Sequence, residues 1–242
     1  MPIRAVLWDI DDTLFDYTGA DTAGLARQLA QEGLGERYGT AAEALALWRR
    51  LTERHWARFG AGEVTFPGQR RDRVREFLGA PGMVDDEADA WFGRYVEHYK
   101  AAWVLFPDVV PVLDALAGVY RHGVLSNSST AAQDPKLRHL GLRDRFEVLV
   151  CAAELGVSKP DAAAFLGACA EMGLPPHEVA YVGDQPEIDA RGARDAGLTA
   201  VWLDRDGGRG PGPAGVHRIA GLDRLPELLA ADTRFGARSG IR

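Results

Sequence analysis

Four short clusters in this 242-residue chain hold residue types that could do chemistry. The first, Asp9-Ile10-Asp11-Asp12-Thr13, follows the apolar run Ala5–Trp8. Alternate residues of an extended backbone point the same way, so Asp9 and Asp11 project together from a strand end. Carboxylates held side by side repel, and a cation or a function must offset them. The plainer reading is an acidic turn in which Asp12 or Thr13 caps the next helix. The second cluster, Gly183-Asp184-Gln185-Pro186-Glu187-Ile188-Asp189, follows another apolar run. Carboxylates arriving from two strand ends are hard oxygen ligands of the kind Mg2+ takes, with water and substrate phosphate completing its shell. The alternative is a Gly-Asp turn with Asp189 as an N-cap.

Ser126-Asn127-Ser128-Ser129 ends a third run. A hydroxyl and backbone N–H groups at such a turn can cradle an anion or simply cap a helix. In Ser158-Lys159-Pro160, Pro160 suits the first turn of a following helix and restricts Lys159 to extended geometry. Composition adds weight to Lys159. Of 28 basic residues 25 are Arg, which leaves Lys100, Lys136 and Lys159. A chain that uses Arg wherever it needs positive charge hints, by using Lys, at a need for a compact ammonium. Lys136 lies in an amphipathic stretch matching no motif and is expected to be incidental.

The hydrophobic pattern names the elements that must position these clusters. Ala5–Trp8, Gly123–Leu125, Phe146–Cys151, Val179–Val182, Thr199–Leu203 and Val216–Ala220 read as buried parallel strands. Helical spacing separates the later ones, at Val109–Leu116, Ala131–Leu140, Ala162–Met172 and Asp189–Ala196. Strands alternating with helices make an α/β fold with a doubly wound parallel sheet. Residues 16–102 break the rhythm with helical spacing only, punctuated by Gly60-Ala61-Gly62 and Phe66-Pro67-Gly68. The expected organisation is an α/β core from 1–15 and 103–231, an all-helical insertion at 16–102 and a flexible tail at 232–242. An insertion at a strand's carboxyl end lies where open α/β sheets bind ligands, as a lid would.

Composition excludes several classes. Hydrophobic residues at 46% and charged residues at 26% fit a globular chain rather than a disordered one. A net charge of −7 argues against binding a nucleic acid polymer. No stretch approaches the roughly 20 apolar residues of a membrane span. Cys151 and Cys169 form no CxxC or Cys/His cluster, so neither a disulfide scaffold nor a zinc site is expected. A cytoplasmic monomer or homodimer is the expectation.

The four clusters, in this order, resemble the motifs of the haloacid dehalogenase-like (HAD) hydrolase superfamily. Asp9-Ile10-Asp11-Asp12-Thr13 resembles its DxDxT motif, Ser126 its Ser/Thr motif, Lys159-Pro160 its lysine motif, and Gly183-Asp184 with Asp189 its GDxxxxD motif. The resemblance covers residues 4–230, with 16–102 similar to a C1-type cap on a HAD-like Rossmannoid core. Cap length and the segment Gly141–Pro160 resemble the branch of nucleoside 5′-monophosphate and N-acylneuraminate 9-phosphate phosphatases. The chain departs from common patterns at Ser126-Asn127-Ser128, Ile188 and Pro107-Asp108, none of which replaces a motif carboxylate or Lys159.

The resemblance implies a Mg2+-dependent phosphatase acting on a small-molecule phosphate monoester, a nucleotide or sugar phosphate, through an aspartyl-phosphate. Asp9 would be the nucleophile and Asp11 the general acid and base. Asp9, Asp184 and the backbone carbonyl of Asp11 would hold Mg2+, and Lys159 would neutralise further charge. Ser126 and Asn127 would hold phosphoryl oxygens, Thr13 would fix the loop at the substrate, and Asp189 would orient Lys159 or a metal-bound water. A phosphomutase or 2-haloacid dehalogenase of the same superfamily is the alternative. Departing halide needs no proton, so an acid at Asp11 favours phosphoryl chemistry. An inactive binding protein of this fold would be expected to lose a motif carboxylate, and a receiver domain would be near half this length. In the insertion, His55, Trp56, Arg58, Arg70 and Arg71 are candidates to face substrate, against the alternative of helix packing.

Overall fold

The first strand, β1 (Ala5–Trp8), has every residue wholly buried. The computed structural model describes residues 2–208 and 210–236. It divides the chain into two compact units, Tyr17–Trp103 and the segments on either side of it. After β1 come four helices, α1 (Tyr17–Gln31), α2 (Ala41–Gly60), α3 (Phe66–Phe77) and α4 (Asp85–Ala101). The chain then runs α5 (Val109–Leu116), β2 (Arg121–Ser126), α6 (Thr130–His139), β3 (Val148–Cys151), α7 (Ala152–Leu155), α8 (Ala162–Glu171) and β4 (Val179–Gly183). A π-helical turn, Pro186–Arg191, leads into α9 (Gly192–Asp195), followed by β5 (Thr199–Leu203), β6 (His217–Ile219) and α10 (Leu225–Gly236).

The six strands form one sheet in the order β3-β2-β1-β4-β5-β6, every pair parallel. All six expected strands are present, and the fold is the expected doubly wound α/β sheet. The chain winds outward from β1 through β2 to β3, then returns to the other side of β1 for β4, β5 and β6. Ligands of open α/β sheets bind at the carboxyl ends of strands where the winding reverses. Here that place is the β1–β4 boundary, where Trp8 is in register with Val182. Residues following β1 and β4 therefore emerge side by side. Beneath them Leu7, Leu125, Phe165 and Tyr181 belong to one buried apolar cluster.

The helical unit has its own core. Trp48 packs against Tyr95, Phe77 and Trp91 with ring centroids 4.9, 5.1 and 5.6 Å away. Gly24 lets α1 approach α4, since a Cβ there would fall 2.9 Å from Tyr99 backbone atoms. The buried Asp21 accepts hydrogen bonds from Tyr95 Oη (2.6 Å) and Arg49 Nε (3.2 Å), so its charge is not stranded. A reciprocal Thr40–Glu43 capping box starts α2.

Phe66-Pro67-Gly68 stands at a helix boundary, as expected of a punctuating segment, and opens α3, while two other local expectations are corrected. Thr65 caps α3 by accepting from Gly68 N, and Pro67 sits in the first turn, where its missing N–H costs nothing. Pro160, expected in a first helical turn, instead precedes Asp161, whose side chain caps α8 by accepting from Ala163 N; the Lys159–Pro160 peptide is cis. The expected flexible tail from 232 is helical in its backbone to Gly236, and 237–242 lie outside the described residues. Among the described residues no helix is long and apolar enough to cross a membrane.

Candidate active site

Asp9 directly follows β1, and its N–H donates to Val182 O of β4 (2.9 Å). The turn after it is tight. Leu14 N and Phe15 N both donate to Ile10 O (2.9 and 3.0 Å), and Asp12 N donates to Phe15 O (2.8 Å). Asp12 adopts φ 59°, a left-handed conformation that non-glycine residues seldom hold unless their surroundings impose it. The loop is thus a compact knot, not the helix cap that its acidic residues also allowed, since α1 begins only at Tyr17.

Lys159 reaches this knot from the loop before α8. Its ammonium donates to Asp9 Oδ1 (2.6 Å), Asp189 Oδ1 (2.7 Å) and Tyr181 Oη (2.7 Å). Lys159 is only 5% exposed and Asp189 0%, so these are buried ion pairs whose charges depend on one another. Burial works against the Lys159 ammonium, but Asp189 and Asp9 outweigh it and hold its pKa above the usual lysine range. Burial raises the Asp9 carboxyl well above the ordinary carboxylate range; Lys159 opposes that rise, while Asp189, Asp184 and Asp11 add to it.

Asp189 lies in the π-helical turn after β4, not in a regular helix. Gln185 N donates to its Oδ2 (3.0 Å) and Tyr181 Oη to its Oδ1 (2.9 Å). Gly183 makes this packing feasible, because a Cβ there would lie 2.4 Å from Asp189 Cγ. Asp9, Asp184 and Asp189 are all buried, each with a carboxylate oxygen within 4.8 Å of the others. The three clustered carboxylates form an all-oxygen donor set of the kind a divalent cation takes. The Asp11 carboxylate stands apart from this cluster.

Asp11 is held instead by α6. Gln133 Nε2 donates to Asp11 Oδ2 (2.9 Å) and to Ser126 Oγ (3.2 Å), and Lys136 Nζ donates to Asp11 Oδ1 (2.6 Å). The expectation that Lys136 is incidental is therefore overturned. It is buried, at 5% exposure, and paired with a motif carboxylate 125 residues away.

Asn127 ties two motifs together. Its Nδ2 donates to Lys159 O (2.9 Å) and its Oδ1 accepts from Lys159 N (2.7 Å), so the side chain anchors the lysine loop. Thr13 is wholly buried and its Oγ1 makes no hydrogen bond. It is fixed through its backbone, whose carbonyl accepts from Arg205 Nη2 (3.0 Å). Arg205 is in turn clamped by both carboxylate oxygens of Asp108 (2.8 and 3.0 Å), one of the positions that departs from the common pattern.

The five residues singled out in the helical insertion are engaged within that unit. His55 pairs with Glu76 (3.0 Å) and Arg58 with Asp72 (3.0 Å), while Arg71 bonds Asp89 and Asp85. Arg70 lies over the Phe66 ring at 4.1 Å. Trp56 packs edge-on against Phe59 and Phe66 and remains 37% exposed. Sequence reading missed Tyr181, Gln133, Lys136 and Arg205. One signal was available: a tyrosine inside an apolar buried strand needs a partner for its hydroxyl.

The sequence matches the haloacid dehalogenase-like hydrolase family over residues 3–197. The chain belongs to that family. It is accordingly an enzyme, a hydrolase, and its named relatives include phosphatases. It is 33% identical over 230 residues to a phosphoserine phosphatase of Thermus thermophilus, covering 84% of this chain and 89% of that one. It is 27% identical to the pyrimidine 5'-nucleotidase YjjG of Escherichia coli, over 93% and 96% of the two chains. Its fold superposes on the HAD hydrolase YfnB of Bacillus subtilis, solved bound to magnesium, with a TM-score of 0.78 at 19% identity over 95% and 100% of the two chains.

Proposed function

We propose that this hydrolase is a Mg2+-dependent phosphatase that cleaves a small-molecule phosphate monoester through an aspartyl-phosphate on Asp9. The observation that carries this reading is the Lys159 ammonium shared between Asp9 and Asp189 at the carboxyl ends of β1 and β4. An in-line attack by the Asp9 carboxylate forms a bond to phosphorus as the ester oxygen leaves. Asp11 gives that oxygen its proton, then removes one from the water that hydrolyses the acyl-phosphate and regenerates Asp9. Anion meets anion in this attack, so the site must supply positive charge that needs no reorganisation. Lys159 supplies part, held in place by Asp189 and Tyr181. Mg2+ held by Asp9, Asp184 and the Asp11 carbonyl would supply the rest by polarising the phosphoryl oxygens, with Asp189 as a further carboxylate beside it. Ser126 and Asn127 are assigned to the phosphoryl group, Asn127 through its hold on the Lys159 loop.

The substrate class is a small phosphorylated metabolite, with nucleotides and sugar phosphates foremost. The relatives named for phosphoserine and pyrimidine nucleotide hydrolysis support that breadth. The test is covalent labelling. Wild-type protein quenched in acid during turnover of a 32P-labelled ester should retain label sensitive to hydroxylamine, and folded Asp9→Asn should retain none and turn over no substrate. Near-wild-type turnover by folded Asp9→Asn would remove the covalent mechanism.

A further inference from the structure

We infer that α6 carries a positioning device for Asp11, in which Lys136 and Gln133 grip one carboxylate oxygen each. The inference rests on the reading of Asp11 as general acid and base. Three observations support it. Lys136 and Gln133 are three residues apart on one helix and so share a face, and that face meets Asp11 at 2.6 and 2.9 Å. Both residues are buried, at 5% and 1% exposure, where a donor or an ammonium persists only with a partner. Lys136 Nζ also stands 4.5 Å from the centroid of the wholly buried Phe15 ring, in the same knot as Asp11.

Lysine usage sharpens the argument. Lys100 is on the surface beside Glu97, whereas the other two lysines are buried and each is paired with one of the leading motif aspartates. Lys159 serves Asp9 and Lys136 serves Asp11. In a chain with 25 arginines, the cations that hold Asp9 and Asp11 are both the compact ammonium.

The grip is compatible with proton transfer. A carboxylate offers about four lone-pair sites, so one donor on each oxygen leaves a site on each for the ester oxygen or for water. What the grip removes is rotation about χ1 and χ2, so that the proton is delivered along one line. Gln133 also donates to Ser126 Oγ, which couples the placement of Asp11 to that of the Ser/Thr motif. Misplacing a reacting group by a fraction of an ångström is costly, so positioning residues that never touch substrate carry kinetic weight.

The test reads leaving-group dependence of kcat/KM across a series of aryl phosphates from p-nitrophenyl to phenyl phosphate. A good leaving group needs little help from an acid; a poor one needs much. Lys136→Met and Gln133→Leu should each lower the phenyl-to-p-nitrophenyl ratio of kcat/KM by about tenfold, a fraction of what a general acid contributes. Asp11→Asn should lower it further, and Lys136→Arg, which keeps a cationic donor, should recover part of the Lys136→Met loss. Gln133→Leu keeps the test open should Lys136→Met fold poorly by thermal melting. If Asp11→Asn steepens the dependence while Lys136→Met and Gln133→Leu lose equally on every ester or not at all, the positioning role is wrong and the reading of Asp11 stands. If Asp11→Asn itself leaves the ratio unmoved, both fall together.

Discussion

Lys159 illustrates how much one buried side chain can settle. Its ammonium has three oxygens within 2.7 Å and almost no exposed surface, so its place suits a point charge on a flexible stem. A guanidinium is planar, broader and bidentate, and would have to displace Asp9, Asp189 or Tyr181. Lys159→Arg therefore keeps the net charge but should lower kcat/KM at least about tenfold, equivalent to about 1.4 kcal/mol of transition-state stabilisation. Equal kinetics for the variant and the wild type would show that the lysine is not part of the charge balance at Asp9.

Among the elements, the junction of β4 with the π-helical turn is the most constrained. Regular α-geometry would carry Asp189 outward as an N-cap. The wider turn instead folds it back over Gly183, where Gln185 N and Tyr181 Oη hold its two oxygens. The arrangement needs a residue without a Cβ at 183, because any side chain there would overlap the Asp189 carboxylate. Gly183→Ala should leave the far-ultraviolet circular dichroism intact, lower Tm by several degrees and cut kcat/KM by about tenfold or more, since it displaces the partner of Lys159. An unchanged melting curve with full activity would contradict this account of the turn.

For the molecule as a whole, the parallel sheet turns residues scattered over 180 positions into one cluster. Its winding reverses at β1, so the ends of β1 and β4 are neighbours and their carboxylates meet. The three buried carboxylates repel each other, and burial already pushes the Asp9 carboxyl toward its protonated form. A bound divalent cation would relieve both effects. Chelation with EDTA should abolish phosphatase activity and Mg2+ should restore it. Mg2+ near 100 times its Kd should also add about 2.7 kcal/mol to the stability of the core unit, visible as a rise in its Tm. Full activity after exhaustive chelation, with a Tm indifferent to Mg2+, would sink the metal site.

Much of this arrangement is legible in the chain because it is local. Each motif stands at the end of an apolar run, and the alternation of such runs with helical spacing already implies a parallel sheet whose carboxyl ends share one edge. Asp9, Asp11, Ser126, Lys159 and Asp184 could be named from that pattern. Lys136 and Gln133 could not. They lie inside a regular element where helical spacing accounts for them fully, and their meaning comes from partners across the fold. The Lys136–Asp11 and Lys159–Asp9 contacts span 125 and 150 residues. No window along the chain contains such a pair, because the register of β1 against its neighbours and the packing of α6 on the sheet create it. Burial then does the rest: once water is excluded, a lysine that would be a solvated surface charge becomes an obligate partner of one carboxylate.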